Sequence, residues 1–260
     1  MTLARCFHLH VSGKYNHMIL NNFFKLCCLS LRIAAVLLLT AHVADAAAPA
    51  STSVTYNLFR NGILLGTITE QFETDGGTYR ATSEARATGL LALVQREPVR
   101  FLSVGTLTKD GLRPQRFEGR QAGKFVSADF DWPGAKLTLI HDGLNHALAL
   151  PQGAQDRLSI MYQLMFAVRT VNAKSPFMDF AMTNGRKLER YRYTSRADVT
   201  IDTPFKRLNT IHLVKQREVD DTGTEIWIAP EYGNLPVKVL IIEDDGVRYE
   251  QVVTRLEIKP

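Results

Sequence analysis

Apolar and polar side chains alternate along much of the chain after residue 50. In residues 190–201, tyrosine, serine, alanine, valine and isoleucine occupy one set of alternate positions, and arginine, threonine and aspartate occupy the other. Residues 79–88 and 124–132 show the same period of two. Since successive side chains of a strand point to opposite faces of a sheet, this pattern predicts strands with one buried and one solvated face.

Turn dipeptides separate these alternating runs at short intervals. Asparagine, aspartate and glycine tolerate the positive φ values that tight hairpins require, and such pairs occur at Asn61-Gly62, Asp75-Gly76-Gly77, Asp110-Gly111, Asp142-Gly143, Asn184-Gly185, Thr222-Gly223 and Asp245-Gly246. Short runs joined in this way predict a meander of antiparallel strands. The last run, 247–258, changes its apolar face near Val252 and Val253, which predicts a β-bulge. Pro236 is predicted to begin a strand, a position that proline tolerates.

One segment, residues 156–170, departs from the alternation. Its apolar side chains at positions 158, 161, 162, 165 and 168 have the spacing of one helix face. Asp156 is placed to cap the first turn, and further apolar residues at 160, 164 and 166 predict a largely buried helix. A shorter apolar piece, residues 89–94, is interpreted as either a helical turn or an apolar lip.

Together these elements predict a mainly β fold. We expect a single curved antiparallel sheet of about ten strands, since open sheets of that size tend to curl. One main helix, at about residues 156–170, is predicted to lie against the concave face. The predicted domain organisation is a cleaved signal peptide over residues 1–46, a flexible entry over 47–52 and a single β-rich domain over 53–260.

The predicted signal peptide is recognised by a nine-residue apolar core at residues 33–41, preceded by basic residues and followed by Ala44-Asp45-Ala46. This layout predicts cleavage after Ala46 and export to the periplasm. Because the region ahead of the core is long, either Met1 or Met18 is the true start. A retained anchor is disfavoured because nine to eleven apolar residues are too few to span the bilayer. A lipoprotein is disfavoured because Cys27 and Cys28 precede the apolar core.

Removing the leader changes the composition that matters for function. All three cysteines lie within it, so the predicted mature chain has neither disulfides nor thiol chemistry. The whole chain has 31 basic and 26 acidic residues. Without the leader's four basic residues and one acidic residue, 27 basic residues stand against 25 acidic ones, which gives no support to nucleic-acid binding.

Several motifs resemble the bacterial exported family catalogued as domain of unknown function 3108. They are RATGLLAL (86–93), DFDW (129–132), LPQGAQDRLSIMYQL (150–164), TPFKRLNT (203–210) and IWIAPEYGNLPVKV (226–239). The resemblance covers residues 53–258, and it departs from the family at Lys206, where the family favours glycine. It implies an open half-barrel like that of envelope lipoprotein carriers, whose concave face holds acyl chains. The resemblance does not indicate an activity, since none is established for that family.

The residues predicted to line a ligand site lie on the helix and on the strands thought to face it. The small inward face of residues 81–87 leaves volume on a concave wall, which the helix either fills as ordinary core or leaves open as an apolar pocket. Asp156 and Arg157 are the candidate polar anchors, and a structural role in starting the helix is the alternative. The candidate lining residues are Leu90, Leu91, Leu93, Phe130, Trp132, Leu158, Met161 and Met165.

No catalytic residue, metal site or cofactor is predicted. His141 and His146 flank Asp142 in a turn, but no further well-spaced metal ligand accompanies them. Asp129 and Asp131 share one strand face, and their apolar neighbours on the opposite face indicate the solvent side of a half-buried strand. No nucleophile-elbow motif is present.

These observations favour a periplasmic non-catalytic binding or accessory protein that holds an apolar or lipid-like ligand. The alternative is a structural or interaction protein of the envelope with a fully packed core, which meets a protein partner through its strand edges or through the arginines at 190, 192 and 196. A hydrolase is the least favoured of the three. No nucleic-acid partner and no stable membrane span after cleavage are expected.

Overall fold

The computed structural model describes residues 50–121, 123–167, 177–217 and 221–259. These residues form fifteen strands, two α-helices and one 3-10 helix (Pro230–Tyr232). The helices are α1 (Leu91–Val94) and α2 (Ser159–Ala167). The strands are β1 (Ser51–Arg60), β2 (Ile63–Asp75), β3 (Thr78–Ala87), β4 (Val99–Thr108), β5 (Gly111–Gln121), β6 (Lys124–Asp131), β7 (Lys136–His141), β8 (Leu144–Ala149), β9 (Gln155–Asp156), β10 (Phe177–Thr183), β11 (Leu188–Asp202), β12 (Arg207–Lys215), β13 (Gly223–Ala229), β14 (Leu235–Ile242) and β15 (Arg248–Lys259).

All fifteen strands belong to one open sheet, in the order β8-β7-β6-β5-β4-β3-β2-β1-β15-β14-β13-β12-β11-β10-β9. Strands β1 and β15 pair at its centre, and both halves of the chain meander outward from them. Every pair is antiparallel except β9 with β10, which is parallel. The predicted mainly β fold is therefore confirmed. The count of about ten strands was wrong, since the described residues form fifteen. Two of the additional strands show no clear period of two, because β8 has no buried face and β9 has two residues.

Contacts of helix α2 show that the sheet is curved. The helix contacts both β5 and β14, which are six strand spacings apart in the sheet order. On a flat sheet that separation would be roughly 29 Å, whereas a helix with its side chains is only about 10–12 Å wide. The sheet must bend around the helix, as the sequence predicted. The helix begins at Ser159 rather than 156, and residues 168–170 of the predicted helix lie outside the described residues.

Side chains of α2 enter both hydrophobic clusters of the core. Leu158, just before the helix, and Tyr162 and Met165 within it belong to the larger cluster, whereas Leu164 joins a second one with residues of β10–β14. Ile160 is also buried. The predicted burial of the helix is therefore confirmed, with apolar contacts on more than one face.

The predicted bulge lies in β15. Thr55 of β1 is paired with Arg255, but the next residue, Tyr56, is paired with Val253, so Thr254 is the extra residue. This insertion shifts the alternation of side chains along β15, which explains why Val253 and Leu256, three positions apart, both belong to the larger core cluster.

Candidate functional site

Asp156 ties the start of α2 to the sheet. Its buried carboxylate accepts hydrogen bonds through Oδ1 from the backbone N–H groups of Leu158 (2.9 Å) and Ser159 (2.8 Å). Its Oδ2 accepts a third from the Ser103 hydroxyl of β4 at 2.6 Å. The predicted cap is confirmed, and burial raises the pKa of Asp156 despite these hydrogen bonds.

Two glutamines fasten the same region to β5. The amide N–H of Leu112 donates to Gln163 Oε1 at 2.7 Å, and Gln155 Nε2 donates to the Leu112 carbonyl at 2.9 Å. Gln163 Nε2 also donates to the carbonyl of Asp110 in the turn before β5, at 3.0 Å. These contacts hold α2 close to the β4–β5 side of the concave face.

A cavity of about 410 Å³, which we call the concave cavity, lies between the start of α2 and the central strands. This volume falls within the range of small-molecule sites, about 300–1,000 Å³. Most of its wall comes from β1–β4, β14 and β15. Its apolar lining includes Leu58, Ile68, Ala85, Val99, Leu158, Met161, Val239 and Ile241, and its polar lining includes Tyr56, Glu70, Ser83, Gln121, Arg157 and Glu243.

Glu70 is a carboxylate on the otherwise apolar inward face of β2. Its Oε2 accepts a hydrogen bond from the Tyr162 hydroxyl of α2 at 3.3 Å. Burial raises the pKa of Glu70 to about 7, although hydrogen bonds from Ser83 and Tyr162 and the charge of Arg157 act in the opposite direction. The cavity therefore contains an acid whose charge changes near neutral pH.

Arg157 lines the concave cavity together with Glu70. Its guanidinium lies 4.3 Å from the centre of the Phe101 ring, and its charge is attracted by Glu70 and Asp156. Among the described residues, its side chain makes no hydrogen bond and no ion pair. The side chain remains accessible to solvent, because the cavity is open.

A second cavity of about 360 Å³, the cationic cavity, shares Phe101, Gln121 and Arg157 with the first. Its other lining residues are Gly119, Lys124, Val126, Asn184 and Arg186. Three of the eight lining side chains carry a positive charge and none is a carboxylate. Arg157 therefore stands where an open, partly apolar cavity meets a positively charged one.

The structure brings together only some of the predicted site residues. Leu158, Met161 and Arg157 line the concave cavity, and Asp156 lies beside it. The remaining candidates do not line it: Phe130 and Met165 are in the core, Trp132 donates to the Pro114 carbonyl (2.6 Å), and Leu90, Leu91 and Leu93 lie on or next to the exposed helix α1. The roles of all these residues in ligand contact stay predictions.

Glu70, Tyr56 and Phe101 were missed by the sequence reasoning. Glu70 carries a usable signal, because it follows Gly66 and Ile68 and precedes Phe72 on the inward face of one strand. A charged residue at such a position requires a partner or a function. Tyr56 and Phe101 have no such signal, since aromatic residues are common in ordinary strands.

Comparison with protein families agrees with this architecture. A family model described as protein of unknown function (DUF3108) matches residues 51–252. The chain belongs to this family. The resemblance identified from the sequence motifs is therefore confirmed. A comparison with curated proteins finds no match.

Two solved structures are similar to this DUF3108 protein. The crystal structure of a beta-barrel-like protein of domain of unknown function DUF1849 from Brucella abortus has a TM-score of 0.50 at 10% identity, covering 82% of this chain and 99% of that chain. A "putative lipoprotein" from Parabacteroides distasonis has a TM-score of 0.30 at 11% identity, covering 81% and 96%. The TM-score of the second structure is too low to support any argument. The first structure, at 10% identity, indicates the fold of this chain and nothing more.

None of the polar residues considered for catalysis or metal binding lines either cavity. Asp129 pairs with Arg116 at 2.6 Å on the solvated face, and Asp131 accepts a turn N–H. The rings of His141 and His146 stack at 4.8 Å, and within the described ranges no three potential metal ligands cluster. No helix among the described residues has the length and hydropathy needed to cross a bilayer.

Replacing Glu70 by glutamine is expected to flatten the pH dependence of stability in this DUF3108 protein. The pKa of Glu70 is about 7 in the folded state and about 4.5 when unperturbed, so the folded state binds the proton more tightly. The free energy of unfolding therefore falls as pH rises from about 4.5 to about 7. Glutamine has no charge to bury, so Glu70→Gln should be about 3 kcal/mol more stable than the wild type at pH 8, the equivalent of this rise in pKa.

Urea unfolding of both proteins at pH 5 and pH 8 measures this effect. Glu73→Gln, an exposed position on the same strand, is the matched control and should leave the pH dependence unchanged. If the free energy of unfolding changed equally between pH 5 and pH 8 in the wild type and in Glu70→Gln, the buried, proton-binding role of Glu70 would be contradicted.

Proposed function

We propose that this DUF3108 protein is a non-catalytic binding protein that holds an apolar or lipid-like ligand in the concave cavity. The single observation that carries the proposal is the open volume of about 410 Å³ beside α2, where an ordinary core would be filled. Interiors close-pack because empty space forfeits dispersion contacts. An apolar chain in the cavity would restore those contacts.

The shape of the fold supports the same proposal. Helix α2 is fastened to the β4–β5 side through Asp156, Gln155 and Gln163, which leaves space between its first turn and β14–β15. Leu158 and Met161 face this space from the helix side. Methionine suits such a wall, because its flexible thioether adapts to irregular partners.

We further propose that the protein acts in the periplasm. The support is the predicted leader over residues 1–46. An apolar ligand crossing an aqueous compartment needs a protein that shields it from water, and a cavity enclosed by a curved sheet suits that task.

Filling the cavity tests the proposal. Ala85 lines the concave cavity from β3, so Ala85→Trp should occupy part of the volume and weaken binding of the neutral dye N-phenyl-1-naphthylamine at least about 10-fold, since losing apolar burial of even two methylenes costs about 1.6 kcal/mol. Fluorescence titration of protein purified without detergent, with the dye excited beyond tryptophan absorption, measures the affinity.

Ala147→Trp, on the exposed strand β8, is the matched control and should bind the dye as the wild type does. Circular dichroism should show both variants folded. If wild type fails to bind the dye, or if Ala85→Trp binds it equally well, the cavity is not a ligand site.

An interaction protein is the second candidate, and one observation favours it. All six residues of β8 are exposed, including Leu144 and Leu148, and one edge of this strand has no neighbour among the described strands. Such edges can accept a strand from a partner protein. Under this alternative the dye would not bind, and both tryptophan variants would behave as the wild type.

A further inference from the structure

We propose that the ligand is an amphiphile with an anionic head group, a carboxylate or a phosphate monoester, that pairs with Arg157. In this arrangement the apolar chain lies in the concave cavity and the head group faces the cationic cavity. The inference rests on the proposed binding function and adds the chemical class of the ligand.

The position of Arg157 carries the first step of the inference. Its backbone N–H donates to the carbonyl of Thr183 in β10 at 2.9 Å, and the next residue, Leu158, is buried in the core. The main chain on which Arg157 stands is therefore held in place. Its side chain lines both cavities, so one group is available at the boundary between them.

The contact with Phe101 leaves the hydrogen-bonding edge of the guanidinium available. A guanidinium stacked on an aromatic ring uses its flat face, while its N–H donors lie in its own plane. None of those donors is taken by a described residue. A carboxylate or phosphate can accept two of them at once, which is the strongest geometry for this side chain.

The carboxylates near Arg157 are already engaged by other donors. Asp156 accepts three hydrogen bonds from Ser103, Leu158 and Ser159, and Glu70 accepts hydrogen bonds from Tyr162 and Ser83. Since the pKa of Glu70 is about 7, part of its population is neutral at physiological pH and does not repel an anion.

The charges around the cationic cavity favour an anion over a cation or a neutral group. Lys124, Arg157 and Arg186 line it with no carboxylate among them. Arg186 shares its charge with Asp142 at 2.8 Å, whereas Lys124 and Arg157 have no ion-pair partner among the described residues. The one further carboxylate that lines the concave cavity, Glu243, does not line the cationic cavity.

Displacement of N-phenyl-1-naphthylamine by four twelve-carbon amphiphiles tests the inference. Dodecanoate, dodecyl phosphate, dodecanol and dodecylamine share a chain and differ in head group, and each is used below its critical micelle concentration. For the wild type we expect the better of the two anions to bind about 10- to 100-fold more tightly than dodecanol, as for a charge-assisted hydrogen-bonded pair. We expect dodecylamine to bind no better than dodecanol.

Arg157→Gln should bring the anions to within about threefold of dodecanol while leaving dodecanol affinity unchanged. Arg157→Lys, which keeps the charge but loses the bidentate geometry, should retain part of the preference. The matched control is Arg113→Gln, because Arg113 also stacks on an aromatic ring, that of Trp132 at 4.8 Å, but lines neither cavity. Circular dichroism establishes that each variant is folded.

The outcomes separate this inference from the proposed function. If dodecanol binds as tightly as both anions, the anionic head group is wrong and the apolar binding site stands. If the anion preference survives in Arg157→Gln, Arg157 is not the anchor. If no amphiphile displaces the dye, both fail. A preference for dodecyl phosphate over dodecanoate, or the reverse, identifies which anion the site takes.

Discussion

Replacing Tyr162 by alanine is expected to lower the free energy of unfolding by about 4 kcal/mol, the cost of deleting a large buried aromatic side chain. Tyr162 is almost completely buried in α2. Its ring stacks on Phe72 of β2 with centroids 4.5 Å apart, and its hydroxyl donates to Glu70. The substitution removes the aromatic contact, leaves a void between helix and sheet, and deprives a carboxylate of a hydrogen-bond donor.

Urea unfolding followed by far-ultraviolet circular dichroism measures the loss. Tyr162→Phe is the matched control, because it keeps the ring and removes only the hydroxyl, and it should cost about 1 kcal/mol. A loss below about 1 kcal/mol for Tyr162→Ala would mean that α2 does not pack into the concave face, and the description of the core would be wrong.

Asp156→Ala is expected to lower the free energy of unfolding by about 3 kcal/mol. A lost helix cap alone costs about 1 kcal/mol, and here the same carboxylate also accepts from the buried Ser103 hydroxyl. Alanine would leave the backbone N–H groups of Leu158 and Ser159 without their acceptor, and buried unsatisfied donors cost about 1–3 kcal/mol each.

Asp156→Asn separates the cap from the remaining contacts. Its side-chain oxygen can still accept from the N–H groups of Leu158 and Ser159, so the loss should be about 1 kcal/mol. Ser103 also contacts the Tyr79 hydroxyl at 2.9 Å and can donate there instead. The same urea experiment measures both variants. Equal losses for Ala and Asn would indicate that the cap contributes little and that the carboxylate's bond to Ser103 dominates.

Much of the sheet could be predicted because strands and hairpins have recognisable local sequence patterns. Asn61-Gly62 and Asp142-Gly143 adopt the positive φ values that their hairpins need. The alternation over residues 79–88 places Tyr79, Ala81 and Ser83 in the interior, as observed. The change of face near Val252 predicted the bulge at Thr254. The number of strands was underestimated, and β8 and β9 are two strands without such a pattern.

The candidate site was only partly predictable. Arg157 and Asp156 were identified because polar residues at the start of a buried helix are conspicuous in sequence. The apolar residues at 90, 91 and 93 suggested a lip to the pocket, yet Leu90 is 84% exposed and none of the three lines either cavity. Their environment depends on where the loop between β3 and β4 runs, which hydrophobicity alone does not specify.

The order of apolar, polar and turn residues was sufficient to predict antiparallel strands and a capped and buried helix. These properties depend on neighbours a few positions apart, and a period of two or 3.6 records them directly. The open cavity, the contact between Glu70 and Tyr162, and the position of Arg157 between two cavities became evident only in three dimensions. They depend on how far the sheet bends around α2, which brings Glu70 and Tyr162 into contact across 92 positions of the sequence, and no local pattern encodes that curvature.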